Sequence, residues 1–354
     1  MNLLLFIVGL AALVAGASLL VRGASALALS FGVSPLVVGL TIVAFGTSSP
    51  EVAVSVGAAL EGQTDIAVGN VVGSNIFNVL FILGASALIV PLLVHVQLIR
   101  QEVPIMIGAS LLLVALGFDG RLTRLDAALL FGLLVVYTVF LIVQSRRQTQ
   151  EAVAELTAEL PQSAAWDRHW AVQVALVVAG LVLLVLGSDW LVTAAVAFAR
   201  SLGVSDLVIG LTIVAAGTSM PEVATSITAA IKGERDIAVG NVVGSNTFNI
   251  LGCLGLSGIV AGSAGLVVPP SVLNFDIWVM LAVALACLPV FLTGREIARW
   301  EGAVFLGYYI AYVAYLILAA QAHDALGAYS AVMMGFVIPL TVITLVVVML
   351  RRPA

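Results

Sequence analysis

Charge is what this chain has least of. Of its 354 residues 14 are Lys or Arg and 19 are Asp or Glu, 9% together, where a soluble domain carries roughly 25%. Too little charge is present to cover a soluble fold of this size. Cysteine is scarce as well: only Cys253 and Cys287 occur, both in apolar stretches, which excludes a disulfide framework and a thiolate metal site. No nucleophile and base stand together, so the sequence does not read as an enzyme. The first residues, MNLLLFIVGLAALVAGASLLV, lack a basic leader and run into a full-length apolar stretch, so they are expected to form a first helix rather than a cleaved signal.

What is present is hydrocarbon. Apolar residues make up 62% of the chain, and the mean hydropathy is +1.20. A membrane span needs about 20 mostly apolar residues. Eleven stretches qualify: 2–28, 33–60, 66–91, 101–118, 124–145, 170–199, 204–231, 237–262, 272–293, 299–320 and 327–350. The one sizeable hydrophilic stretch, 146–169, reads as a solvated cytoplasmic connector. The expected class is an all-α polytopic membrane protein whose partner is the lipid bilayer. Nothing points to nucleic acid or to a protein partner.

The chain then says the same thing twice. Residues 39–51 read GLTIVAFGTSSPE and 210–222 read GLTIVAAGTSMPE; GNVVGSNIFN at 69–78 returns as GNVVGSNTFN at 240–249. Aligning 31–84 with 202–255 needs no gap, and 16 of the 54 positions differ. The match extends to Gly16 and Gly187 in the first span of each half, and to Asp126, Gly132 and Tyr137 against Glu301, Gly307 and Tyr312 in the fifth. A repeat of five spans, an odd number, enters the membrane upside-down the second time. The domain reading is therefore one inverted five-helix repeat over 1–145, the connector 146–169, a second repeat over 170–320, and one extra C-terminal helix, 327–350, with no counterpart. Inverted repeats are a transporter architecture with the ion site near the midplane.

Lys and Arg orient the chain. With the N-terminus outside, Arg22, Arg100, Arg146, Arg147, Arg168, Lys232, Arg235, Arg295, Arg299, Arg351 and Arg352 fall on the cytoplasmic side. Only Arg121, Arg124 and Arg200 fall outside. The expectation is an integral protein of the cell membrane, N-terminus outside and C-terminus cytoplasmic.

Each repeated phrase puts one Glu (Glu51, Glu222), hydroxyls and amides into apolar sequence. A carboxylate in lipid is a functional-site hypothesis by default. On a helix Ala44, Thr47, Ser48 and Glu51 share one face. Pro50 has no N–H, and its ring clashes with the carbonyl four residues back, that of Gly46; Pro221 does the same to Gly217. Both helices should break there and leave carbonyls without helical partners, which the bilayer tolerates only where they line a cavity or lie inside protein. In the second phrase Ser74 and Asn78 stand one turn apart, as do Ser245 and Asn249, while Gly69, Gly73, Gly240 and Gly244 read as small-residue packing positions. The donors are all hard oxygens. That excludes zinc, copper and nickel and points to Ca²⁺, Na⁺, Mg²⁺ or H⁺. Ca²⁺ takes 6–8 oxygens in flexible geometry, and two Glu would balance its charge. Asp189, Asp276 and Glu102 read as interfacial or paired, and Trp190, Trp278 and Trp300 as aromatic-belt anchors.

At these motifs the chain resembles the sodium/calcium exchanger family of the calcium/cation antiporter superfamily, whose signature is two inverted repeats carrying G-T-S-x-P-E and G-S-N-x-x-N/D. The resemblance covers spans one to ten. It implies a ten-helix core in which spans 2, 3, 7 and 8 enclose the cation sites while spans 1 and 6 slide. It further implies that Glu51 and Glu222 ligate Ca²⁺ and share Na⁺ sites, and that the carbonyls of Ala44 and Ala215 are main-chain ligands. Thr47, Ser48, Thr218 and Ser219 would add oxygens, Ser74 and Ser245 would complete outer Na⁺ sites, and Asn78 and Asn249 would line the centre. Asn249 stands where some relatives carry Asp, which suggests independence from K⁺. The expected activity is exchange of Na⁺ for Ca²⁺ by alternating access, with the ions as substrates and no cofactor. A Ca²⁺/H⁺ antiporter on the same scaffold and a membrane protein that does not transport are the alternatives.

Overall fold

The computed structural model describes residues 2–156, 169–202, 213 and 215–350. Helix α1 is Asn2–Phe31. The second span is a broken pair, α2 (Pro35–Thr47) and α3 (Ser49–Leu60), bent by 45°. Then come α4 (Thr64–Ile89), strand β1 (Leu92–Leu93), α5 (Leu98–Gly117), β2 (Arg121–Leu122) and α6 (Arg124–Leu156). The second half repeats the order with α7 (Trp170–Ser201), α8 (Ala215–Gly217), α9 (Met220–Ile231), α10 (Arg235–Val260), β3 (Leu266–Val267), α11 (Val272–Leu292), β4 (Glu296–Ile297) and α12 (Arg299–Ala320). A last helix, α13 (Ala325–Val347), follows. The fold is the all-α polytopic membrane architecture the hydropathy predicts. The first part of the seventh span, 203–212, lies outside the described residues, as does 157–168 of the connector.

The two halves interlock as a pseudo-twofold requires. β1 pairs antiparallel with β4, and β2 with β3, so each hairpin-like clip joins one repeat to the other. α1 crosses α7 on glycines. A Cβ added at Gly16 would lie 2.8 Å from the Gly180 carbonyl oxygen, and one at Gly9 would lie 2.9 Å from that of Gly187. Gly16 and Gly187, the pair matched by sequence, thus occupy equivalent places at opposite ends of one crossing. Small residues let these backbones touch, and a seam without interdigitated side chains can slide.

Around this pair the polar spans are enclosed. On α10 Gly240 and Gly244 meet α2 of the other half at Leu36 and Leu40; a Cβ at Gly244 would lie 2.7 Å from the Leu40 carbonyl oxygen. The packing expected of the four repeated glycines is present, between repeats, at these two; a Cβ at Gly69 or Gly73 would meet nothing within 4 Å among the described residues. Glu102 is wholly buried at the start of α5, where Tyr137, Gln97 and Gln101 donate to it at 2.7, 2.9 and 2.7 Å. Its counterpart Asp276 accepts Tyr312 Oη at 2.8 Å. Both carboxylates are paired, and both pairs tie the fourth span of a half to its fifth.

The stretch 146–156, read as part of a solvated connector, continues α6 as helix to Leu156. It holds no Gly or Pro before Pro161, and its Gln, Glu, Ala and Leu are good helix formers, so nothing local stops the helix where the hydrophobicity ends.

Candidate cation site

The site grows out of the two helix breaks. At Ser48 the backbone leaves helical values (φ −80°, ψ 8°), and Ser219 repeats it (φ −87°, ψ 8°). Pro50 and Pro221 stand at the first turn of α3 and α9, where a missing N–H does no harm. The carbonyls they release do not stay free, as the sequence suggested they would. Ser49 Oγ donates to Gly46 O at 2.7 Å, and Ser188 Oγ on α7 donates to Gly217 O at 2.6 Å. The carbonyl of Ala44 accepts the Ser48 N–H at 3.0 Å; Thr47 Oγ1 lies 3.4 Å from it, with Asn241 Oδ1 the nearer acceptor for its proton at 3.1 Å. The breaks are real, and hydroxyls satisfy them.

Each break puts a Glu in the first turn of the helix that follows it. Glu51 and Glu222 are wholly buried. Each is held by the serine at the other repeat's break: Ser48 Oγ donates to Glu222 Oε1 at 2.9 Å, and Ser219 Oγ donates to Glu51 Oε1 at 2.8 Å. Thr218 lies beside the Glu51 carboxylate. Thr47 and Ser245 lie beside that of Glu222. The two carboxylates are close enough to repel each other. Among the described residues no Lys or Arg is paired with either. A carboxylate so desolvated costs several kcal/mol unless an opposite charge compensates it.

The remaining oxygens say what kind of charge fits. Glu51 Oε2, Glu222 Oε2, Ser74 Oγ, Ser245 Oγ and Asn78 Oδ1 are buried and have no hydrogen-bond partner among the described residues. An unsatisfied buried polar atom costs about 1–3 kcal/mol and is rare in a native structure. Five in one repeated motif, all oxygens, form an acceptor set with nothing to accept from. A hard cation that takes 6–8 oxygens suits them.

Around this set lies a polar lattice that links the repeats, and sequence reasoning missed most of it. Asn75 Nδ2 donates to Asn246 O at 3.1 Å while Asn246 Nδ2 donates to Asn75 O at 3.2 Å. Asn78 Nδ2 donates to Asn246 Oδ1 at 2.9 Å, and Asn249 Nδ2 donates to Asn75 Oδ1 at 3.1 Å. Asn70 and Asn241 bond to Ser55 and Ser226, each at 3.0 Å. Every bond here has a partner generated by exchanging the halves. All of these residues are identical in the two copies, which was the available signal. One asymmetry stands out: Asn249 Oδ1 accepts the Cys253 thiol at 3.5 Å, while Asn78 Oδ1 accepts nothing. A π-helical turn begins at Asn78 and again at Asn249, a distortion frequent at functional sites.

Of the residues singled out by sequence, Glu51, Glu222, Ser48, Ser219, Thr47, Thr218 and Ser245 come together at the carboxylates. Ser74, Asn78 and Asn249 lie on the adjoining α4 and α10. Ala44 ends its carbonyl in α2. Ala215 opens the short turn α8, and its side chain lies outside the described residues.

Buried carboxylates and hydroxyls at two helix breaks, exchanged by a pseudo-twofold inside a bundle of membrane spans, define a secondary transporter for a hard cation. Comparison with known proteins makes the class specific. The family described as sodium/calcium exchanger protein matches residues 1–143 and 172–318. A putative antiporter, CaxA, from Alkalimonas amylolytica is 41% identical over 311 residues, covering 86% of this chain and 95% of that protein. The sodium/calcium exchanger MaX1 of Methanosarcina acetivorans is 35% identical over 346 residues, covering 89% and 98%. The solved structure of the sodium-calcium exchanger NCX_Mj superposes with a TM-score of 0.74 at 30% identity, covering 88% of this chain and 97% of that one. The chain belongs to the sodium/calcium exchanger family. It is a cation/Ca²⁺ antiporter, for which Ca²⁺ and Na⁺ are substrates rather than resident cofactors. The match ends before α13, which is an addition to the ten-helix core.

Proposed function

We propose that the protein exchanges Na⁺ for Ca²⁺ at the paired glutamates and extrudes Ca²⁺ from the cell. One observation carries this reading: each Glu has one oxygen fixed by a serine of the opposite repeat and one oxygen, buried, with no partner. Such a pair presents two carboxylate oxygens to one divalent ion and balances its charge. Ala44, Thr47, Ser48, Ser74, Asn78, Ala215, Thr218, Ser219, Ser245 and Asn249 supply neutral oxygens around Glu51 and Glu222, and Na⁺ accepts the same oxygens at similar distances. Competing occupancy of one oxygen set is what exchange requires. With neither ion bound, two repelling carboxylates face the membrane interior, so the empty form resists crossing and the two fluxes stay coupled.

The chain lies in the cell membrane with its N-terminus outside and its C-terminus in the cytoplasm, and the asymmetry between the halves then gives the state. α1 packs along α9, and Lys232 Nζ donates to Ser18 O at 3.2 Å. The repeat-related pair, α7 with α3, has no comparable packing. Thr225 on α9 is fully buried while its counterpart Val54 on α3 is 40% exposed. In this orientation the sealed end is cytoplasmic and the structure faces outward.

The experiment is ⁴⁵Ca²⁺ uptake into proteoliposomes preloaded with Na⁺ and diluted into Na⁺-free buffer, beside an arm driven by a pH gradient. Uptake that needs internal Na⁺ and vanishes in Glu51→Gln is expected. Uptake that follows only the pH gradient would keep the site and replace Na⁺ by H⁺ as the coupling ion.

A further inference from the structure

Asn70 and Asn241, the second residues of the two GNVVGSN phrases, are outside the ligand set proposed above, yet each is clasped between a serine of its own repeat and a threonine of the other. Asn241 Nδ2 donates to Ser226 Oγ at 3.0 Å, and its Oδ1 accepts Thr47 Oγ1 at 3.1 Å. Asn70 Nδ2 donates to Ser55 Oγ at 3.0 Å and toward the Glu51 carbonyl at 3.4 Å, and its Oδ1 accepts Thr218 Oγ1 at 3.5 Å. The Glu51 carbonyl settles which way the Asn70 amide points, since only its nitrogen can face that oxygen. Ser55 stands one helical turn beyond Glu51, and Ser226 one turn beyond Glu222. Each Asn is thus braced by the helix that carries its own repeat's carboxylate, and it reaches the threonine of the other repeat.

A threonine hydroxyl has one proton and two acceptor lone pairs. With the Thr47 proton directed at Asn241, both lone pairs are left for a cation. Without that acceptor the strongest alternative is the carboxylate of Glu222, beside which Thr47 lies and whose Oε2 is unpartnered. The hydroxyl would then aim its proton into the site and occupy an oxygen that the cation needs. We infer that Asn70 and Asn241 are positioning residues for exchange: each draws the proton of a cross-repeat threonine away from the carboxylates, so that the hydroxyl oxygen faces the ion. This rests on the Na⁺/Ca²⁺ site assigned under Proposed function. It also means that neither repeat orients its own threonine, so a change in one half is felt as ligand geometry in the other.

The test is a double-mutant cycle in proteoliposomes, read as the Ca²⁺ concentration for half-maximal uptake. Asn241→Ala is expected to raise it about tenfold, the scale of one lost hydrogen bond to a charged site, with the maximal rate per inserted protein within about twofold of wild type. Thr47→Val should raise it similarly, and the double variant should be no worse than Thr47→Val alone. Asn241→Asp keeps an acceptor for Thr47, with Ser226 able to turn and donate, and should return half-saturation to within about threefold of wild type. Independent, additive losses, or a fall in maximal rate with unchanged half-saturation, would mean that Asn241 only supports packing and would overturn the inference. Should Asn241→Ala fail to insert, the cycle of Asn70→Ala with Thr218→Val decides by the same criteria. Glu51→Gln, measured alongside, separates the two levels: transport by it would remove the site assignment, whereas a silent Glu51→Gln with an additive cycle would remove only the positioning role.

Discussion

A carboxylate buried in a membrane protein with no cationic side chain beside it needs a proton or a bound cation to neutralise it, and Glu51 and Glu222 are in that position. The serines at the breaks fix one oxygen of each and leave the other without a partner among the described residues, and on the proposed reading a divalent ion relieves the strain this leaves in the free protein. Two results follow at the level of single residues. Wild-type protein in detergent should melt at a higher temperature with Ca²⁺. At one hundred times the dissociation constant the gain is about 2.7 kcal/mol, readable by scanning fluorimetry. Glu51→Gln and Glu222→Gln should melt no lower than wild type in Ca²⁺-free buffer, because a neutral amide removes the repulsion. They should show no Ca²⁺ shift and no ⁴⁵Ca²⁺ uptake. A normal Ca²⁺ shift in either variant would place the ion elsewhere.

Broken helices and close crossings are what turn those residues into a device. Pro50→Ala restores the N–H whose absence ends α2 and should let the second span run straight. That moves Glu51 away from Ser219, and uptake should fall at least about tenfold for the lost bond to a charged group while the protein still inserts. At the α1–α7 crossing Gly16→Leu would drive a side chain into the Gly180 backbone, 2.8 Å from where its Cβ must sit. Overpacking of this kind costs about 1–3 kcal/mol and should arrest uptake, whereas Gly57→Ala, with nothing within 4 Å of the added Cβ, should leave it unchanged. Equal rates for Gly16→Leu and wild type would mean that the crossing does not move. The breaks were legible in sequence because proline acts on its own backbone, and the glutamates because a charge in lipid is conspicuous. What caps the freed carbonyls was not legible. Ser49 is local, but Ser188 comes from α7, 29 residues away, and only packing brings it there. Asn70 and Asn75 were in plain view as duplicated amides, yet Asn75 pairs with Asn246 and Asn70 reaches Thr218 on the other repeat, and that pairing depends on how two half-proteins face each other. That α6 runs on to Leu156 was not legible for the opposite reason: hydrophobicity stops at the membrane surface, whereas helix propensity does not.

At the scale of the whole molecule, the pseudo-twofold explains why the site contains two of everything, and α13 is the part it does not generate. That helix rests on the core through Tyr308 with Thr341 and through Tyr329 with the Ala311 carbonyl, contributes nothing to the carboxylate lattice, and lies outside the family match. A chain ending at Gln321 should therefore insert and transport at a rate within about twofold of the full chain, the size of effect expected when roughly 0.4 kcal/mol is at stake. A silent truncation would give the helix a part in exchange. The symmetry also limits how charge moves. Both halves offer the same two carboxylates to either ion, so the charge of the protein is constant across the cycle and the net charge moved is that of the ions alone. With three Na⁺ against one Ca²⁺, the ratio the family resemblance implies, one positive charge crosses per turnover in the direction of Na⁺. Each charge is worth about 2.3 kcal/mol per 100 mV, about fiftyfold in the Ca²⁺ gradient that can be held. Proteoliposomes preloaded with Na⁺ and clamped with a K⁺ gradient and valinomycin test this, since Na⁺ leaves as Ca²⁺ enters under a set potential. Three charges leave and two enter, so the net outward positive current is opposed by a negative interior and helped by a positive one. Uptake should therefore rise with an interior-positive potential and fall with an interior-negative one. Indifference to the potential would require an electroneutral ratio, two Na⁺ or two H⁺ per Ca²⁺, and would leave the same two carboxylates exchanging one ion for its equal in charge.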